Sequence, residues 1–491
     1  MDQFLNFSIT VLYALTISLS FYFMVVYGYN LFISLFGYKN LKKDYEILED
    51  ETRFLILIAA HNEETVILKT LENLKRIKYD PSLYDICVVS DNSTDQTTQI
   101  AKNHGMLVVD TIQKRFPREG VGKPAGIQYA LRELGFKNVQ ENYDLVMILD
   151  ADNFVDDNIL KEVNSQYITK DKPEAIQTYL GTKNYNKLVS LGYSVIFWTN
   201  NRFMQAAKYR LGLPNSIGGT GFFIRTDWLI AKGGFKFKSL TEDLEMEIDI
   251  VKDGGRILWN DFAGVYDEKP EHTKISMKQR HRWIKGHWYV AFKQFIPLSV
   301  KFIKTLNLKY LDKIFFLMSM GKALHMVLII ILLSSIAGLT VLNGGFLTVV
   351  MTTDLTSAWH TVNDYFLYIY GFNILLILYS FGVLPIYSTY KKVGRHNTFK
   401  VFIAVQWFML TDFIVQFIGL YTWPNQGTWV KTPHVKTKVE HGTEILAVPD
   451  IIAAVSEKLE QKEEIVQQVI EELTPNGEIP ENSDTAEALK S

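Results

Sequence analysis

The chain has 491 residues, 48% hydrophobic and 13% aromatic, with a formal net charge of -2 at pH 7. That length allows two or three units, one with a substantial core, and a near-zero charge leaves no footprint for nucleic acid. The single cysteine, Cys87, excludes a disulfide framework and a cysteine-rich metal site, and its apolar surroundings Ile86 to Val89 suit a buried structural thiol.

No charged side chain occurs from Gln3 to Tyr38, and Ile9 to Phe32 is long and apolar enough to cross a bilayer as a helix. It is too long for a signal-peptide core and lacks a cleavage site. Asp2 precedes this span while Lys39, Lys42 and Lys43 follow it. The positive-inside rule therefore places the N-terminus outside and the next region in the cytoplasm.

Phe54 to Ala60 predicts a strand ending at His61-Asn62-Glu63-Glu64, and Val66, Leu68, Leu71 and Leu74 give a helix over about 64–75. Asp85 to Ser90 predicts a second strand. It ends in the turn Asp91 to Asp95, where Asp91, Ser93 or Asp95 could cap a helix beginning near Gln96. Leu107 to Asp110 is a third, short strand, and Lys123 precedes a helix from about Ala125 to Leu134. The apolar run Val146 to Leu149 then stops at Asp150-Ala151-Asp152, as a strand covered on both faces would. Ligands of open α/β sheets bind at strand C-termini. Asp150 and Asp152 would share a hard divalent cation there, unless they merely form a solvated turn or a helix cap. Strands alternating with helices predict a mostly parallel sheet.

Further on, Trp198 to Arg210 predicts a helix leading into the glycine turn Gly218 to Gly221, and Thr241-Glu242-Asp243 opens an acidic helix that could be capped by Thr241. Gln279, Arg282 and Trp283 stand at i, i+3 and i+4 and share one helix face; Lys278, Arg280 and Lys285 beside them would equally suit a membrane-surface helix. The alternating basic and apolar run Phe292 to Lys313 reads as interfacial. Leu324–Leu342, Tyr365–Tyr387 and Val401–Leu420 are each long enough to span. Asn343 to Asp364 has no Lys or Arg and should lie outside, whereas Lys391, Lys392, Arg395 and Lys400 mark a cytoplasmic loop. Alternation then puts the tail outside, but Lys431, Lys436 and Lys438 pull it inward, so the last span could instead be re-entrant or interfacial. Its Gln406, Asp412 and Gln416 fit either a polar channel or helix–helix hydrogen bonds.

Seven segments, taken in order, match the motifs of membrane-bound family 2 glycosyltransferases. They are Ala59 to Glu64, Val88 to Asp95, Gly122-Lys123-Pro124-Ala125, Asp150-Ala151-Asp152, Gly218 to Gly221, Thr241-Glu242-Asp243 and Gln279-Arg280-His281-Arg282-Trp283. The chain most resembles the processive synthases of cellulose, hyaluronan, chitin-type oligosaccharides and poly-N-acetylglucosamine, over about 54–289 and the flanking spans. Ser90 and Asn92 depart from it, standing where many relatives have Asp and Gly.

The resemblance implies an α/β GT-A-type nucleotide-sugar-binding domain inserted between transmembrane α-helices, a UDP-sugar donor, Mg²⁺ or Mn²⁺, and inversion at the anomeric carbon. By the same resemblance, Ala60, Asn62, Glu63, Asp91, Lys123, Asp150, Gln279, Arg282 and Trp283 bind the donor. Asp150 and Asp152 hold the metal, Asp152 directly. Asp243 is the general base with Glu242 beside it, and Gly219, Thr220, Gly221 and Trp283 meet the acceptor. The expected layout is a transmembrane helix over 1–38, a cytosolic catalytic domain over 51–290, interfacial helices over 291–323 and about three spans over 324–421. A post-membrane segment over 422–448 and an amphipathic helix with an acidic disordered tail over 449–491 follow. Such a protein would sit in a bacterial cell membrane and polymerise UDP-N-acetylglucosamine or UDP-glucose into a β-linked exopolysaccharide, moving the growing glycan across the bilayer. An accessory membrane or export subunit could dock on the tail. Single transfer to a lipid acceptor and an inactive export scaffold are the alternatives.

Overall fold

The computed structural model describes residues 2–120, 122–319, 327–332, 334, 335, 338, 368 and 371–427. These belong to one compact unit, 1–435; a second unit, 436–491, lies outside the described residues. The expected tail helix over 449–491, the external connection Asn343 to Asp364 and most of the span 324–342 also fall outside them.

The chain begins with helix α1 (Asp2–Leu35). The catalytic-size domain follows as β1 (Phe54–Ala60), α2 (Ile67–Leu74), β2 (Tyr84–Ser90), α3 (Thr97–Asn103), β3 (Leu107–Asp110), α4 (Gly122–Leu134), α5 (Phe136–Asn142) and β4 (Leu145–Asp150). Then come β5 (Phe154–Val155), α6 (Ile159–Thr169), β6 (Ala175–Thr182), α7 (Leu188–Asn200), α8 (Ala207–Arg210), β7 (Phe222–Arg225), α9 (Thr226–Ala231), α10 (Glu242–Lys252) and β8 (Ile257–Asp267). Two helices, α11 (Thr273–Thr305) and α12 (Leu308–Met318), lead to α13 (Leu384–Val393) and α14 (Thr398–Thr422).

The eight strands form one sheet in the order β3-β2-β1-β4-β7-β6-β8-β5. Alternation along the buried strands explains its two cores. On β1 and β4, Leu55, Leu57, Val146 and Ile148 enter one core, while Phe54, Ile56, Ile58, Leu145, Met147 and Leu149 enter the other. Truncating one such fully buried leucine to alanine costs about 2–5 kcal/mol.

The sheet is mixed, which corrects the expectation of a mostly parallel one. β3, β2, β1 and β4 run parallel, but β7 runs against both β4 and β6. The reason is the turn before β7: Gly219 and Gly221 take φ of 80° and 61°, and Gly221 N donates to Ile148 O at 2.9 Å, so the chain folds back beside β4.

Three other boundaries shift. Helix α2 starts at Ile67 rather than near Glu64 because the residues before it are held by the turn after β2: Thr94 N donates to Asn62 Oδ1 (2.7 Å) and Glu63 N to Thr97 Oγ1 (2.7 Å). Lys123 lies inside the first turn of α4 rather than before it. The 290/291 boundary disappears, since α11 is continuous to Thr305 and stops where Leu306 adopts a left-handed conformation.

Among the described residues three helices are long and apolar enough to cross a membrane: Thr10–Leu35, Gly371–Val393 and Thr398–Thr422. The last, α14, lies along the domain for its whole length. Lys400 Nζ donates to Asn186 O (3.3 Å), a Cβ on Gly192 would meet Ala404 O at 2.9 Å, Trp288 Nε1 donates to Gln416 Oε1 (3.3 Å), and His281 Nε2 is 3.0 Å from Thr422 Oγ1. Its polar residues are taken by neighbours. Arg280 bonds Phe408 O, Thr411 Oγ1 and Asp412 Oδ1 at 3.0, 2.6 and 3.4 Å, and Gln406 bonds Phe381 O at 3.2 Å. These are the helix–helix hydrogen bonds foreseen for them.

Candidate active site

The site gathers at the C-terminal edge of β1, β2 and β4. Ala60 O accepts from Asp91 N at 2.7 Å, and His61 Nδ1 lies 2.7 Å from Asp91 O, so the β1 and β2 ends are laced together. Asn62 and Glu63 belong to this lacing through their contacts with the Asp91 to Thr97 segment. Ahead of α3, Asp95 Oδ1 accepts from Thr97 N at 3.0 Å, and Asp91 is left for another partner. That partner is Arg118, which grips both oxygens of Asp91, the Nη2–Oδ2 distance being 2.8 Å. Thr111 Oγ1 donates to Asp91 Oδ1 at 3.0 Å. Arg118, one of two arginines in the 111–120 loop, carries no sequence pattern and was not foreseen.

At the end of β4, Asp150 Oδ1 accepts from Lys123 Nζ at 2.5 Å, and the same ammonium donates to Gly219 O at 2.6 Å. Asp152 lies one turn on, with its carbonyl accepting from Lys183 Nζ and its Oδ1 accepting from Asn153 Nδ2 at 3.0 Å. The ammonium of Lys183 sits 3.4 Å over the Phe154 ring. Among the described residues no cluster of three or more His, Cys, Asp or Glu could cage a metal. The carboxylates of Asp150 and Asp152 are hard-oxygen donors that would suit an Mg²⁺-like ion, with phosphate and water oxygens completing its shell.

Thr220 was expected at the acceptor. Its hydroxyl instead braces the Asp150 turn, accepting from Asp150 N at 3.1 Å and donating to Asn153 Oδ1 at 2.5 Å. Gly221 likewise faces inward, where a Cβ would come within 2.6 Å of Val265. Gly219 is the residue of the turn that comes against Asp243: a Cβ there would stand 3.1 Å from Asp243 Oδ2. Lys123, Gly219 and Asp243 are thus consecutive neighbours.

Glu242 and Asp243 open α10, and no capping box forms. Thr241 makes no side-chain cap, and Glu245 Oε2 accepts from Lys238 N and Ser239 N at 2.9 and 2.8 Å. Burial pushes the Asp243 carboxyl up to about 7, with the Glu242 carboxylate adding to the effect. Glu242 is raised too, by burial, against the pull of Lys123 and Arg282. A carboxyl titrating near neutrality suits a general base.

The face of α11 divides in two. Gln279 Oε1 accepts from Tyr193 OH at 3.1 Å, the Trp283 ring is edge-on to Tyr193 at 6.2 Å, and Arg282 Nη1 reaches Leu240 O at 3.5 Å beside the α10 start. Arg280 turns the other way, to α14. Gln426, just past α14, accepts from Leu240 N at 2.9 Å and closes the same corner. Tyr193, Lys183 and Gln426 were invisible in the sequence because each is defined only by partners far along the chain.

Residues 52–286 match the family model described as "Glycosyltransferase like family 2". The chain is 26% identical over 394 residues to the probable glycosyltransferase YdaM of Bacillus subtilis, covering 75% of this chain and 89% of that protein. It is 26% identical over 243 residues to a beta-monoglucosyldiacylglycerol synthase of Nostoc sp., covering 47% of this chain and 48% of the relative. It is 24% identical over 261 residues to the poly-beta-1,6-N-acetyl-D-glucosamine synthase of Staphylococcus aureus, covering 52% and 60%. The chain thus spans about half the length of the lipid glucosyltransferase it matches. With the mixed sheet, its carboxylate-bearing edge and apolar helices on either side, residues 52–286 belong to glycosyltransferase family 2, and the protein is a glycosyltransferase with a GT-A-like fold.

Proposed function

We propose that the protein is an inverting, metal-dependent glycosyltransferase of the cell membrane that builds a β-linked glycan from UDP-N-acetylglucosamine or UDP-glucose at the cytosolic face. The observation that carries this is the contiguity of Asp150, Lys123, Gly219 and Asp243, with Asp243 held at about 7. Asp243 takes the proton of the acceptor hydroxyl as that oxygen bonds to the anomeric carbon. The bond from that carbon to the phosphate oxygen breaks on the opposite face, and its electron pair leaves with UDP. Lys123 releases Asp150 and turns to the diphosphate, and Arg282 adds a second positive charge. A divalent ion held by Asp152, with Asp150, supplies further charge stabilisation of the leaving group when bound. Trp283 offers its ring to the acceptor sugar.

The relative that makes poly-N-acetylglucosamine supports polymer synthesis; the relative named as a glucosyldiacylglycerol synthase supports single transfer to a lipid as the second reading. An inert scaffold has no use for a near-neutral carboxyl beside a lysine–aspartate pair. The packing of α14 along α7 and α11, with both ends against the domain, supports an interfacial rather than a crossing helix. With α14 in the interface, the basic residues at 391–400 and the far end of α14 share the cytosolic side.

Membranes containing the protein, given either UDP-sugar with Mg²⁺ or Mn²⁺, test this through UDP release and product size. High-molecular-weight product lost in Asp243→Asn supports a processive synthase. A short lipid-linked product gives the second reading, and no release with any donor refutes both.

A further inference from the structure

A cavity of about 280 Å³, lined by none of Asp150, Asp152 and Asp243, lies at the junction of the domain with the membrane helices. Its wall takes Lys39 from just beyond α1, Arg202 from the π-helical stretch Asn201–Ala206 that joins α7 to α8, and Ser388, Lys391 and Lys392 from α13. The place is the cytosolic end of two apolar helices, Thr10–Leu35 and Gly371–Val393.

Four cations line this space, and among the described residues none of them is ion-paired. Arg202 uses Nη2 on Tyr38 O (2.8 Å) and Asn40 Oδ1 (3.1 Å), whereas Lys392 rests 4.5 Å over the Tyr179 ring and Lys391 5.8 Å from that of Tyr387. Two polar atoms of the wall, Arg202 Nε and Ser388 Oγ, are buried and have no hydrogen-bond partner. Unsatisfied buried donors are costly, and the Arg202 guanidinium is a strong partner for an anionic oxygen.

The opposing charges are Asp156 and Asp261. Each is already engaged: Asp156 Oδ2 accepts from Gly264 N at 2.8 Å, and Asp261 Oδ1 from Trp259 Nε1 at 3.0 Å. Burial raises both carboxyls, against the pull of Lys392 on each and of Arg202 on Asp261.

We propose that this cavity binds the phosphate of an anionic membrane phospholipid, taken in from the cytosolic leaflet. The volume sits just below the roughly 300 Å³ at which small-molecule pockets begin, so it suits a headgroup rather than a whole lipid. Basic pockets between membrane helices on this side of the bilayer are the setting in which acidic headgroups are held.

The test uses the full-length protein in detergent, with native mass spectrometry counting retained lipid and thermal unfolding read alongside. The probes are phosphatidylglycerol, phosphatidylcholine and inorganic phosphate. Each lysine near an anionic headgroup is worth roughly fivefold in affinity, so Lys391→Ala with Lys392→Ala should weaken phosphatidylglycerol retention by roughly thirtyfold. Both lysines are exposed, so the pair of changes leaves the fold intact. Ser388→Leu, which fills the cavity without altering charge, should abolish retention as well. Equal retention of phosphatidylcholine, or a loss in the lysine variant that Ser388→Leu does not reproduce, would reduce the effect to general surface attraction and overturn the site. Stabilisation by inorganic phosphate equal to that by phosphatidylglycerol would overturn the lipid as its source.

Discussion

Replacing Asp243 by asparagine should inactivate the enzyme and stabilise it, and the stabilisation should depend on pH. An unfolded chain releases the Asp243 proton near 3.8, whereas the folded protein holds it to about 7. The unfolded state therefore binds fewer protons between those values, stability falls as pH rises through them, and the cost is constant above. An interval of about 3 pH units corresponds to about 4 kcal/mol at full burial. Asp243 opens partly onto the cleft, so about half of that, near 2 kcal/mol, is the share to expect. Asparagine cannot ionise and escapes this cost. In detergent, thermal unfolding of Asp243→Asn against the parent should show a Tm higher by roughly 4–8 °C at about pH 8, with the gap closing near pH 4. In the parent, kcat should fall roughly tenfold per pH unit below about 7, and Glu242→Gln should move that limb to lower pH by removing a like charge. A Tm difference independent of pH, or an acid limb unmoved in Glu242→Gln, would refute the claim that burial and Glu242 set the Asp243 carboxyl.

Chelation with EDTA should abolish UDP release, and Asp152→Asn should lower kcat by about 10²–10³-fold even with excess Mn²⁺, measured by coupled UDP assay. A Cβ at Gly286 would come 2.7 Å from Thr241 N, so Gly286→Ala should displace the first turn of α10 and lower kcat by about 10²-fold. Donor KM should change little, because Lys123 and Asp150 stand on other elements. Lys313, fully buried, pairs with Glu247 at 2.7 Å and caps Pro214 O and Asn215 O. Lys313→Met leaves the Glu247 charge uncompensated and should cost about 3–5 kcal/mol in thermal unfolding.

The sequence alone determined those parts whose cause is local. A run of apolar residues ending in a polar turn makes a buried strand, so β1 and β3 begin and end where expected, and Asp150 falls at a strand end because Val146 to Leu149 cannot be solvated. Helical spacing likewise put Gln279, Arg282 and Trp283 on one face of α11. The motif order was enough to anticipate the family, since each motif is a short stretch of contiguous residues.

Tertiary structure decided what depends on residues distant in the chain. The reversal of β7 came from two left-handed glycines in a turn whose direction no periodicity records. The Arg118 grip on Asp91, the use of Thr220 as a brace for Asp150, and the commitment of Arg280 to α14 join residues 27, 70 and 131 or 132 positions apart. Hydropathy measured only that α14 is apolar enough for a membrane; its length along α7 and α11 came from side-chain fit at Gly192 and Gly419, which composition does not encode. The near-neutral carboxyl of Asp243 has the same origin, because burial and a neighbouring charge exist only once α10 is packed against the Gly219 turn.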